Sequence, residues 1–176
     1  MAVSGTTLSS RITALLSSKT YWLLLAIFGL AMEAVALYYQ YVLGDEPCQV
    51  CIHIRIWIAA FILLSMVMLL LPRHKFIAIA GHLINIGVMA GLWERCLFLL
   101  QVENGNANSS CNFYLGFPDW FALDKWMPAL FEVRNLCSFT PELLFGITMA
   151  QGLIAIASLL SVLAIAALII TLLQKS

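Results

Sequence analysis

Apolar residues fall in four long runs, at about 21–41, 52–71, 76–100 and 143–173, separated by polar stretches of very unequal length. At about 1.5 Å of rise per residue, a run of this size covers roughly the 30 Å hydrocarbon core of a bilayer, so each predicts a transmembrane helix. The last run is longer than a vertical span requires and predicts a tilt, an extension beyond the bilayer, or a break near Gly146 or Gly152. The first run, starting at Tyr21, has no small-x-small exit and reads as a retained span rather than a cleaved signal peptide. Four such helices in one chain give an all-α integral membrane protein. The expected fold is an antiparallel four-transmembrane-helix bundle forming a single domain over 1–176.

The connections set the orientation. The loop at 42–50 carries Asp45 and Glu46, Pro72-Arg73-His74-Lys75 is a tight basic turn, and 101–142 is a long loop rich in Asn and aromatic residues. Arg11, Lys19, Arg73, Lys75 and Lys175 lie on one side, against Lys125 and Arg134 on the other. The positive-inside bias places both termini and the basic turn in the cytoplasm, and both cysteine-containing loops, 42–50 and 101–142, outside. Arg55 and Arg95 sit at span ends, where snorkelling makes them uninformative for topology.

Composition agrees. The 176 residues are 62% hydrophobic and 10% charged, with a mean hydropathy of +0.97, which leaves too little polar surface for an ordinary soluble domain. Basic and acidic residues cancel to a formal charge of zero, so nothing points to nucleic acid. Within the third run, Gly81, Gly87 and Gly91 with Ala78, Ala80 and Ala90 provide small residues where helices approach. Between Phe113 and Phe131, rings at Phe117, Trp120, Phe121, Trp126 and Phe131 alternate with Asp119, Asp124 and Lys125, which predicts a short helix lying in the interface or plugging the bundle end. Glu33 falls about 12 Å inside the first span by helix rise. It is expected to face the bundle interior, either protonated or paired, with His82, Asn85 or Gln151 as polar partners.

Chemistry concentrates in the five cysteines, at 48, 51, 96, 111 and 137. Four of them lie in the two outer loops, where disulfides persist in an oxidising compartment. Cys111 and Cys137 bracket the amphipathic segment. Closing that loop of about 27 residues would contribute roughly 3.5 kcal/mol of chain entropy, a sufficient structural use. Cys48 and Cys51 are different, because a ring so small at a helix start adds little order. Their spacing instead lets one thiolate attack while its neighbour resolves. No further Cys or His at zinc-like spacing completes a metal site, so none is expected. Pro47 precedes the pair, which puts it in the first helical turn, where unbonded amide hydrogens and the dipole favour an anion. Arg55 is one turn deeper on the face of Cys51, placed to stabilise its thiolate and an electron-rich acceptor beside it, or to snorkel. His53 is as well placed to face headgroups, and Cys96 is expected to behave as a small buried hydrophobe.

Pro47-Cys48-Gln49-Val50-Cys51 followed by Arg55, then Cys111, Phe117-Pro118-Asp119-Trp120, Leu123-Asp124-Lys125-Trp126-Met127-Pro128, Cys137 and a terminal span closely resemble the bacterial disulfide bond formation protein B family. The resemblance runs from Tyr21 to about Leu173. It implies a multi-pass bacterial inner-membrane enzyme with periplasmic redox loops, which reoxidises a periplasmic thioredoxin-like (DsbA-like) oxidase and passes electrons to ubiquinone or menaquinone. By position, Cys111 is implied to form the mixed disulfide with the partner and Cys137 to be its mate. Cys48 is implied to exchange with that pair, and Cys51 to contact the quinone with Arg55 near the ring. Where Arg95 stands, near the implied quinone, the family commonly has a histidine. Arginine donates hydrogen bonds but does not cycle a proton near neutral pH, so proton transfer here would use another group or water.

Two other readings share the outline. A vitamin K epoxide reductase-like enzyme also joins loop cysteines to a membrane quinone, but its active pair ordinarily lies late in the bundle. A non-enzymatic four-span scaffold with a disulfide-bonded outer loop, similar to tetraspanins, leaves Cys48, Cys51 and Arg55 without a purpose and would carry a Cys-Cys-Gly that this loop lacks.

Overall fold

The computed structural model describes residues 15–16, 18–72, 74–105, 115–137, 140–144 and 146–173; Arg11, Arg73, Cys111, Phe113 and Lys175 lie outside them. Four helices are long and apolar enough to cross a membrane. Helix α1 (Lys19–Tyr38) continues through a π turn, Tyr39–Leu43, and stops at Gly44, whose φ of 77° is left-handed. Helix α2 spans Gln49–Leu70 and α3 spans Lys75–Glu103. Pro72 separates them by forcing the residue before it out of the helical region, and Leu71 is accordingly extended at φ −71° and ψ 150°.

The loop after α3 contains a 3₁₀ turn, Asp119–Phe121, and two single-turn helices, α4 (Leu123–Trp126) and α5 (Pro128–Phe131). The amphipathic segment is therefore three short pieces and not one helix, because Met127 is pushed to φ −139° ahead of Pro128. Phe117, Leu123 and Phe131 pack with Ile52, Leu115 and Val133 into a small second core, while Trp120 and Trp126 stay exposed. Anchoring on the bundle and presenting rings outward thus coexist. The final apolar run breaks at Gly146, φ 75°: Glu142–Leu144 (β1) and Ile147–Thr148 (β2) form a small antiparallel hairpin, and α6 runs over Met149–Leu173.

All four helices are apolar around their whole circumference, so packing is chosen by side-chain size and not by a hydrophobic face. Ala150, Ala157 and Ala164 recur at heptad spacing on α6, all fully buried with Ala167, and let α6 close on α3 in the most extensive helix contact of the bundle. Helix α2 packs between α1 and α3, whereas α1 and α6 share no extensive contact among the described residues. The bundle is an open series, α1 to α2 to α3 to α6, with a seam between its ends.

The glycines of α3 divide by their surroundings. An added Cβ at Gly81 would run into Met68 and one at Gly91 into the Trp57 indole, while at Gly87 it would meet nothing within 4 Å. Gly91→Ala is therefore expected to destabilise the purified protein by about 1–3 kcal/mol, the usual cost of overpacking. Gly87→Ala should leave the thermal midpoint in detergent unchanged or slightly raised. Equal midpoints for the two variants would contradict this account of the α2–α3 contact.

Candidate active site

Cys48 is the N-cap of α2, extended at φ −83° and ψ 167°, and Cys51 is in the first turn. The two form a disulfide with their Cα atoms 5.1 Å apart. The Cys48 sulfur also accepts the Cys51 amide hydrogen at 3.2 Å, so a disulfide sulfur is at once the helix cap. Cys48 is buried and Cys51 half-buried.

Arg55 does not snorkel. It is buried at 8% exposure and reaches across to α1, where Nη2 donates to the Ala36 carbonyl at 2.9 Å and Nη1 donates to Gln40 Oε1. Glu33, also on α1, is close enough to interact electrostatically with the guanidinium. Its Oε1 is buried without a hydrogen-bond partner among the described residues. The partners expected for it lie elsewhere. His82 stacks on Trp22 with ring centroids 5.1 Å apart, Asn85 Oδ1 is itself unbonded among the described residues, and Gln151 Oε1 accepts from the Thr148 amide at the start of α6.

A cavity of about 310 Å³ opens at the seam. Phe28, Met32 and Val35 of α1 with Tyr39 of its π turn form one wall, Met149, Leu153 and Ile156 of α6 the other, and Cys51, Ile54, Arg55 and Ile58 of α2 with its N-cap Cys48 the back. Asp45, Glu46, Asn135, Pro141 and Leu143 close the loop end. The Cys-x-x-Cys pair and a buried cation thus share one largely apolar chamber, of a size at the low end for a small-molecule site.

The long loop is docked onto this end of α2. Amides of Arg134 and Asn135 donate to the Pro47 carbonyl at 3.1 and 3.3 Å, and Asn135 forms a parallel bridge with Cys48. Cys137, two residues on, is disulfide-bonded and lies in the same buried apolar cluster as Cys48. On the opposite side of α2, His53 contacts the Leu115 carbonyl through Nε2 at 3.0 Å and packs at a tilt against the Phe117 ring, so it holds the loop instead of facing headgroups.

Arg95 pairs with its neighbour Glu94 at 2.8 Å, is 38% exposed at its side chain, and is not among the residues lining the cavity. Cys96 is a free, fully buried thiol in the main core. Sequence pattern did not single out Gln40, which holds Arg55, nor the α1 stripe at 28, 32, 35 and 39. The one available signal was an amide side chain two turns beyond Glu33 in a mostly apolar span.

The family model for disulfide bond formation protein DsbB matches residues 18–167. Disulfide bond formation protein B of Shewanella denitrificans is 33% identical over 144 residues, covering 81% of this chain and 82% of that protein. Disulfide bond formation protein B 2 of Pseudomonas aeruginosa is 32% identical over 146 residues, covering 80% and 85%. The homologue from Shewanella amazonensis is 32% identical over 161 residues, covering 90% and 94%. A disulfide across Cys48 and Cys51 at the start of an apolar helix and a match along most of the chain lead to one conclusion: this protein belongs to the DsbB family of disulfide bond formation proteins, and its role is a redox one.

Proposed function

We propose that the protein oxidises a periplasmic thioredoxin-like dithiol protein, of the DsbA-like kind, and delivers the electrons to a membrane quinone, ubiquinone or menaquinone. The observation that carries this reading is the shared chamber, in which Cys51 and the buried Arg55 line an apolar cavity at the seam between α1 and α6. The residues fit a flat apolar ring bearing polar oxygens: aliphatic and aromatic walls and one buried cation, with the acidic residues Asp45 and Glu46 confined to the loop end. When bound, a quinone supplies the acceptor for the two electrons and two protons released as Cys48 and Cys51 close their sulfur–sulfur bond.

The protein's own residues do the rest. The partner's two thiols become a disulfide by exchange with Cys111 and Cys137, whose bond opens, and those loop thiols then exchange with Cys48 and Cys51. The docking of Arg134 and Asn135 on Pro47 supports this second transfer, since it brings Cys137 into the cluster of Cys48. The helix start and the guanidinium both favour negative charge on the Cys51 sulfur, while the apolar walls exclude water. Lys19 and Lys75 lie at the helix ends away from the cysteines, which supports a cytoplasmic placement of those ends and a periplasmic one for the redox loops in the bacterial inner membrane.

The decisive measurement is quinone reduction by the purified protein supplied with a reduced thioredoxin-like partner; no turnover would overturn the proposal. With the pair reduced, contact between the Cys51 thiolate and bound quinone is expected to give visible absorption. Cys51→Ser should abolish that colour, and its persistence would exclude Cys51 as the contact. Arg55→Met should raise the quinone KM by about 10- to 100-fold, the weight of charge-assisted hydrogen bonds. Arg55→Lys should recover only part, because a point charge does not reproduce the two-pronged contact with Ala36 and Gln40.

A further inference from the structure

Arg55 is held on α1 at two points of different kinds. One is a helix carbonyl, Ala36, at 2.9 Å; the other is the Gln40 side chain, whose remaining half is committed to the long loop. Gln40 Nε2 donates to the Ala129 carbonyl of α5 at 3.1 Å. The orientation of the amide is fixed by its neighbours, because guanidinium offers only donors and a carbonyl only accepts. The Ala129 carbonyl is free to receive it since α5 ends at Phe131 and Glu132 turns to ψ 129°, leaving the last carbonyls of the helix unbonded within it. Tyr41 Oη donates to the same carbonyl, and the π turn brings these adjacent residues to one target.

We propose that Gln40 is a positioning residue, its amide setting the Arg55 guanidinium at the cavity wall and tying that setting to the docked loop. This rests on the quinone reading of the cavity. A short stretch leads from Ala129 to the Arg134 and Asn135 amides docked on Pro47, so a loop lifted toward a partner takes away the acceptor of Gln40. Reciprocally, a ligand that holds Arg55 in place strengthens loop docking, as linkage requires.

The test uses the full-length protein in detergent with a short-chain ubiquinone as probe. It compares Q40L, Q40E and Y41F for the KM of quinone, the KM of the reduced partner, and amide hydrogen exchange at 128–137 with and without quinone. Q40L, which loses both contacts, is expected to raise the quinone KM about tenfold while shifting the partner KM less than about twofold. Q40E still accepts from Arg55 but does not donate to Ala129. It should recover most of the quinone KM yet lose the slowing of exchange at 128–137 that quinone produces in the wild type. Y41F should keep that slowing, because its lost bond does not involve Arg55. A wild-type quinone KM in Q40L, or a loop response that survives in Q40E, would overturn the assignment. If Q40L does not fold, the near-isosteric Q40E decides. Wild-type protein that reduces no quinone would overturn both this inference and the function beneath it, whereas normal wild-type turnover with an unaffected Q40L would overturn this one alone.

Discussion

A guanidinium buried between two membrane helices is the constraint on which the redox end depends. An unpaired buried charge costs several kcal/mol, so Arg55 needs acceptors inside the bundle. It finds them on α1, at Ala36 and Gln40, with the carboxylate of Glu33 nearby. That demand fixes the upper part of α1 against α2. Since α6 is attached through α3 and its alanine stripe, nothing equivalent draws α1 to α6 among the described residues, and the chamber is what remains between them.

The far wall of the chamber has its own fastening. Glu103, the last residue of α3, accepts hydrogen bonds from Thr140 at 2.8 Å, just before β1, and from Thr148 at 3.0 Å, the last residue of β2. Pro141, Leu143 and Met149, which line the chamber, are carried by this clamped segment. A single carboxylate thus ties the end of one span to the entry of the next and gives a short loop a defined surface.

Hydropathy made the spans legible, and spacing made the Cys48–Cys51 pair legible as chemistry, because both are local properties of the chain. Partnerships across helices were not. Arg55 could be placed on the face of Cys51 by counting, but its acceptor, Gln40, is polar in a span end where many residues are polar without consequence. Glu33 was expected to bond to His82, Asn85 or Gln151 because they are the polar residues of neighbouring spans; depth and rotation, which an all-round apolar helix does not encode, put them elsewhere. For the same reason Gly87 looked equivalent to Gly81 and Gly91 in sequence, although only the latter two face another helix. The break before α6 was anticipated in outline; Gly146 realises it as a hairpin because a positive φ costs glycine little.

The double duty of the Cys48 sulfur has a consequence for turnover. An amide hydrogen of α2 is already aimed at that atom while it is bonded to its neighbour. When the bond opens, the same hydrogen still has that sulfur as its acceptor, so the helix start keeps its cap in the reduced form as in the oxidised one. Opening and closing then require little rearrangement of the backbone, and the pair can cycle without unwinding the membrane helix that carries it.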